Sequence, residues 1–182
     1  MYRKAWVAAL AALSLTACSG KPGPDAAGAV QGFLAAVLTN DRAAFEADID
    51  RAALRRDLRS QIVEMGRAAG VEVEGGPSEF TLDRMIGPDN FKLVQAGTGA
   101  PLAAPPTLEQ VKPLLKPVDG SHVCLHGPPP QQACVLTFEN QKAAAKDPGG
   151  KDGQARQAGW RLVRMPATDL RIEVGAEPPA KK

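Results

Sequence analysis

The sequence predicts an α+β fold in which N-terminal amphipathic helices pack on one face of a C-terminal antiparallel sheet. Three observations predict it. Apolar residues recur at helical spacing through the first half of the 182-residue chain. Beyond residue 120 the apolar runs are short, strand-like and separated by Pro- and Gly-rich segments. Helices followed by strands, without βαβ alternation, place the helices against an antiparallel sheet. A chain with 44% hydrophobic and 23% charged residues is globular in composition. Its 18 Gly and 16 Pro imply long connections around a modest core.

The chain opens with a positive Arg3-Lys4 pair and an apolar stretch from Ala5 to Leu15. That stretch reads as a secretory signal, since spanning a bilayer takes about 20 residues. Leu15-Thr16-Ala17-Cys18 follows, and it resembles the lipobox of bacterial lipoproteins. In that family the Cys thiol receives a diacylglyceryl group and a peptidase cuts just before it. The resemblance implies a signal peptide over 1–17, lipid attachment at Cys18 and an envelope location. Ser19, where an Asp would favour the inner membrane, implies the outer membrane facing the periplasm. Residues 18–27 are expected to form a flexible tether, its nine residues beyond the Cys reaching at most about 30 Å. Cleavage would remove two of the 22 Lys and Arg, leaving 20 against 20 Asp and Glu. The chain then has no basic field for nucleic acid, and its acyl chains hold it to membrane lipid.

Asp25 to Leu38 is the clearest helix, with Val30, Phe33, Leu34, Val37 and Leu38 on one stripe. Asn40-Asp41 ends it and caps a short turn, Arg42 to Ala47, that buries Phe45. Asp50 caps a long helix over about Arg51 to Ala69, stopped by Gly70. Its expected buried face is Leu54, Leu58, Ile62 and Met65. Arg55, Arg56, Asp57, Arg59 and Glu64 are expected on a solvated face, where alanine in place of an Arg changes stability by under about 0.5 kcal/mol.

A loop over 71–78 leads to a short helix, Glu79 to Ile86, with Phe80, Leu82, Met85 and Ile86 apolar. Gly87-Pro88 breaks it, and Pro88 suits the first turn of another short helix through Val94. Phe91, Leu93 and Val94 are its core candidates. Gly97 to Pro106 reads as unstructured. Thr107-Leu-Glu-Gln110 resembles a capping box, with Pro113 and Pro117 keeping any helix short. The expected strands are a hairpin over 121–139, then Gly159–Met165 and Thr168–Val174. A loop covers 140–158, and a disordered tail covers 175–182.

With Cys18 lipidated, Cys124 and Cys134 remain as a pair in an oxidising compartment. A turn centred near Pro129 places them opposite each other, and a disulfide is expected. Its reduction is expected to leave the helical half folded, because the helical core lies far away in sequence. One alternative competes. His122, Cys124 and His126 share a strand face, a row that holds zinc or copper if Cys124 is a free thiolate.

Motifs for catalysis are missing from the chain: no Gly-x-Ser-x-Gly, His-Glu-x-x-His, Walker loop or dinucleotide fingerprint occurs. Aromatic residues are 4%, few for stacking on bases or sugars.

The element order is similar to nuclear transport factor 2-like (cystatin-like) domains. The runs at 33–41 and 159–163 resemble the first helix with its turn and a late strand of that class. Asp48 to Leu58 and Ile86 to Phe91 resemble a bacterial family called domain of unknown function 2939, over residues 28–174. That resemblance implies the fold and carries no catalytic or binding residues. The expected protein is therefore a non-catalytic, cofactor-free envelope lipoprotein that binds a protein or envelope component. The alternatives are a small-ligand cone within the curved sheet and the metal site at His122 and His126.

Overall fold

The computed structural model describes residues 24–71, 75–127, 133–141, 159–168 and 170–175. The signal, Cys18 and Ser19, most of the 140–158 loop and the tail beyond Gly175 lie outside those residues. Five helices and six strands make up the described chain, with a four-stranded antiparallel sheet among them.

Helix α1 (Pro24–Leu38) buries Val30, Phe33, Leu34 and Val37 along the expected stripe. Asn40, at φ 53°, turns the chain. Asp41 accepts from the amides of Ala43 and Ala44 and so caps α2 (Arg42–Ala47). Asp50 accepts from Ala53 N at 2.9 Å and caps α3 (Arg51–Ala68). Between them, the backbone of 48–50 joins the far strand β5 (Trp160–Arg164). Asp50 N donates to Leu162 O, and Leu162 N to Asp48 O, both at 2.9 Å. Ser78 caps α4 (Glu79–Met85), and Thr107 with Gln110 forms the expected capping box of α5 (Leu108–Val111).

The main sheet runs β2 (Leu115–Pro117), β3 (His122–His126), β4 (Cys134–Asn140), β5, all antiparallel. Its inner face presents Leu115, Val123, Leu125, Leu136, Phe138 and Leu162, all buried. Phe33 of α1 stands at the centre of the core. Its ring lies 5.6 Å from Phe45, 5.5 Å from Phe91 and 5.4 Å from Phe138. Helices and strands therefore share one hydrophobic core, with the aromatic pairs at the separations that ring quadrupoles favour.

The structure corrects several expectations. The helix expected from Pro88 through Val94 is a single 3-10 turn, Pro88–Asn90, followed by strand β1 (Lys92–Gln95). Phe91 is already extended at φ −87°, ψ 137°, and β1 pairs in parallel with β6 (Arg171–Val174). The last strand thus leaves the antiparallel sheet and forms a second, two-stranded one. The segment expected to be unstructured covers the other edge of β1, with Leu102 N donating to Leu93 O and Gln95 N to Ala100 O. Strand β2 was not expected at all. Pro117 lacks an amide hydrogen, and Pro is confined to edge strands; β2 is the edge of the sheet. Met65, expected in the core, is 44% exposed.

Candidate functional site

Helices α3 and α4 are joined by a ladder of ion pairs, which corrects the reading of a solvated cationic face. Arg51, Arg55 and Arg59 recur every four residues on α3, and Glu79 and Asp83 do the same on α4. Arg55 donates from Nε and Nη2 to the two Asp83 oxygens at 2.7 and 2.6 Å, and reaches Glu79 at 3.3 Å. Arg59 pairs with Glu79, and Arg51 bridges Glu46 and Asp83. The Arg55 hydrogen bonds hold the Asp83 carboxyl below its ordinary value against the opposing effect of burial, with Arg51 adding to the lowering. Arg56 alone of the three expected surface arginines stands exposed.

Fixing α4 this way determines what its other sides present. Leu82 and Ile86, four apart, face the core. Phe80 is two residues from Leu82, about 200° around a helix, so it points outward and is 72% exposed. Arg84 lies over its ring, 5.9 Å from the centroid. Beside them opens a groove of about 540 Å³, with Phe80, Thr81, Arg84 and Met85 on one wall. Asn90 and Lys92 line it too, and Met165, Pro166, Ala167 and Leu170 form the other wall.

That second wall is the link from β5 to β6, and α3 clamps it. Gln61 Nε2 donates to Met165 O at 2.9 Å, and its Oε1 accepts from Ala167 N at 3.0 Å. Asp57 accepts from the same amide group and from Arg164 Nε at 2.8 Å. Asp57, expected among solvated charges, is thus an anchor for the groove wall, its side chain only 15% exposed.

The expected hairpin carries the cysteine pair on the outer face of the sheet. The two sulfurs lie at bonding distance, with Cα atoms 5.7 Å apart. The register differs from the expected one. Cys124 faces Thr137 and Cys134 faces His126, with a shift between Leu125 and His126. The bridge therefore runs diagonally, and it engages the sulfur that the His-x-Cys-x-His row would offer as a thiolate. His122 Nδ1 sits 2.9 Å from both Asp119 oxygens, and Nε2 is 3.9 Å from Glu139 Oε1. The Ser121 amide, followed by His122, lowers the Asp119 pKa from its ordinary value. Among the described residues no group of three or more His, Cys, Asp or Glu has the placement to hold a metal ion.

Phe80, Arg84, Lys92, Leu170 and Gln61 are the residues that sequence reading missed as site residues. A signal was present for Phe80, since helical phase forbids burying both it and Leu82. None was present for Lys92 and Leu170, which meet only through the parallel β1–β6 pair. No helix among the described residues is long and apolar enough to cross a membrane. No protein-family model matches the sequence, and neither a curated protein nor a solved structure matches it.

Proposed function

We propose that this chain is a lipid-anchored, non-catalytic protein of the bacterial cell envelope, attached to the outer membrane through Cys18 and facing the periplasm. Its domain, of the nuclear transport factor 2-like class, binds a protein or envelope component through the groove beside Phe80. One observation carries the binding reading. The inner face of the sheet is filled by α1, while an apolar groove of about 540 Å³ stands open beside an exposed phenylalanine. Three of the other four phenylalanines pack around Phe33, and only Phe80 is left to solvent. The residues on the sheet's inner face are buried, so a small-ligand reading finds its support at the groove as well. The lipobox supports the anchor, because acyl chains on one Cys hold a protein stably to a bilayer.

Two measurements test the two parts. Cys18→Ser should move the protein from the membrane to the soluble fraction and remove the lipid mass; unchanged fractionation rejects the anchor. A photoreactive phenylalanine at position 80 of the acylated protein should crosslink to an envelope component in cells. The same residue at exposed position 56 should not, and equal capture at both positions rejects the groove as the binding face.

A further inference from the structure

We propose that the occupant of the groove is a long-chain fatty carboxylate, its tail along Met85, Met165 and Leu170 and its head at Arg84 and Lys92. This rests on the groove being the binding face, as read above. Three observations select that chemistry. Among the described residues, the charged ones lining the groove are Arg84 and Lys92, and no described carboxylate lines it. The acids of α4 are turned away and already engaged: Asp83 with Arg55, and Glu79 with Arg59. Among the described residues neither Arg84 nor Lys92 has a carboxylate partner, so the groove's described lining carries net positive charge. A guanidinium and an ammonium together suit an anionic head, the guanidinium binding a carboxylate in its two-pronged geometry.

The second observation concerns the walls. A bound extended peptide needs main-chain partners, and four of the groove's main-chain groups are already engaged. Met165 O accepts from Gln61, Ala167 N donates to Gln61, Leu170 O accepts from Lys92 N, and Met85 O accepts from Asn90 Nδ2. The groove is lined by apolar side chains with two cations among them, which fits an amphiphilic anion. The third is size. A groove of about 540 Å³ lies within the range of about 300–1,000 Å³ for small-molecule sites, which leaves room for an acyl chain.

The test uses the acylated full chain in neutral phosphatidylcholine nanodiscs. A diazirine-bearing palmitic acid and the corresponding alcohol are photolysed in parallel, and labels are mapped by mass spectrometry. The acid should label peptides containing Phe80, Met85 and Leu170 on the order of tenfold more than the alcohol, as one charge-assisted pair requires. Arg84→Glu with Lys92→Glu should lower acid labelling to the alcohol level. Arg84→Lys with Lys92→Arg should retain most of it, and Leu170→Trp should block both probes. Unchanged thermal melting shows that each variant is folded. Equal labelling by acid and alcohol, or labels spread over the whole surface, overturns the proposal. So does a lysophosphatidate probe that enters the groove when the acid does not. If Phe80 still crosslinks to an envelope component in cells while the acid is not captured, the ligand class alone is rejected. Failure of both removes the groove reading as well.

Discussion

Arg55 shows how little a residue's charge says about its role until its partner is known. On α3 alone it is one of several cations on an outward face. The structure gives it a two-pronged carboxylate, Asp83, and a half-buried position. Arg55→Ala should therefore lower stability by about 1 kcal/mol, at the upper end for a partly exposed pair. Arg56→Ala should stay within about 0.5 kcal/mol. Urea denaturation of both variants, and of a double-mutant cycle with Asp83→Asn, checks this; equal losses would show that the ladder contributes nothing. The same pair sets an acid limb. Asp83 is held below its ordinary value in the folded chain. Its stabilisation is then complete above the unfolded value of about 3.9 and is lost as pH falls through the folded one. Asp83→Asn should flatten the stability profile below about pH 4 and leave its slope near neutrality unchanged. Asp48, whose pKa is raised by burial against the opposing pull of Arg161, works in the opposite sense, so comparison with Asp83→Asn isolates the ladder. Gln61 is the other residue whose role lies in its partners. Gln61→Leu leaves Met165 O and Ala167 N without it, which should cost about 1–3 kcal/mol. It should also speed hydrogen exchange at the Ala167 amide; an unchanged exchange rate would mean that the wall is held by something else.

At the scale of elements, the β3–β4 hairpin invites the sharpest test. Sulfurs at bonding distance close a segment of ten residues, for which the chain-entropy account gives about 2–3 kcal/mol. Alkylation without reduction should leave residues 124 and 134 in linked peptides, and reduction should lower stability by that amount. Free thiols at both positions, with zinc bound near one per chain, would return His122 and His126 to the role of ligands. The hairpin also shows where sequence reading ends. Both strands and the cysteine pairing followed from short apolar runs flanking a Pro-rich turn. The register did not, because the shift between Leu125 and His126 is set by the strands' neighbours. Helices α1 to α4 were legible for a local reason: α1 has its own apolar stripe, and α2, α3 and α4 have caps at Asp41, Asp50 and Ser78. The span 88–94 was misread as a helix because Pro88 starts a helix as readily as a 3-10 turn. What makes 92–95 a strand is Arg171–Val174, far along the chain. The groove inherits that difficulty, since its two walls come from segments far apart in the sequence, joined by that pairing and by α3.

The whole molecule argues against two halves that fold separately. Read along the sequence, the helical core ends before residue 100 and the cysteine-linked hairpin begins after residue 120. On that reading reduction would spare the helices. Packing removes the separation. Phe33 of α1 touches Phe138 of β4 with ring centres 5.4 Å apart, and the 48–50 backbone bonds to Leu162 of β5. The parallel β1–β6 pair then ties the chain's middle to its last strand. A stabilising bond in the hairpin and a cap on a helix therefore act on the same equilibrium, and unfolding should be all-or-none. Two optical probes report on the two halves. Far-UV circular dichroism follows the helices. Fluorescence follows Trp160 on β5, the single tryptophan in a chain prepared to begin at residue 18, without Trp6. Both should give one urea midpoint and one slope. Reduction should move the two midpoints down together, in place of a loss of fluorescence change alone. Phe33→Ala should lower both by the same margin, about 3–5 kcal/mol, because the ring it removes belongs to helix and sheet at once. A helical signal that persists after the tryptophan transition is complete would show two independent units, and would restore the separation that the sequence suggests.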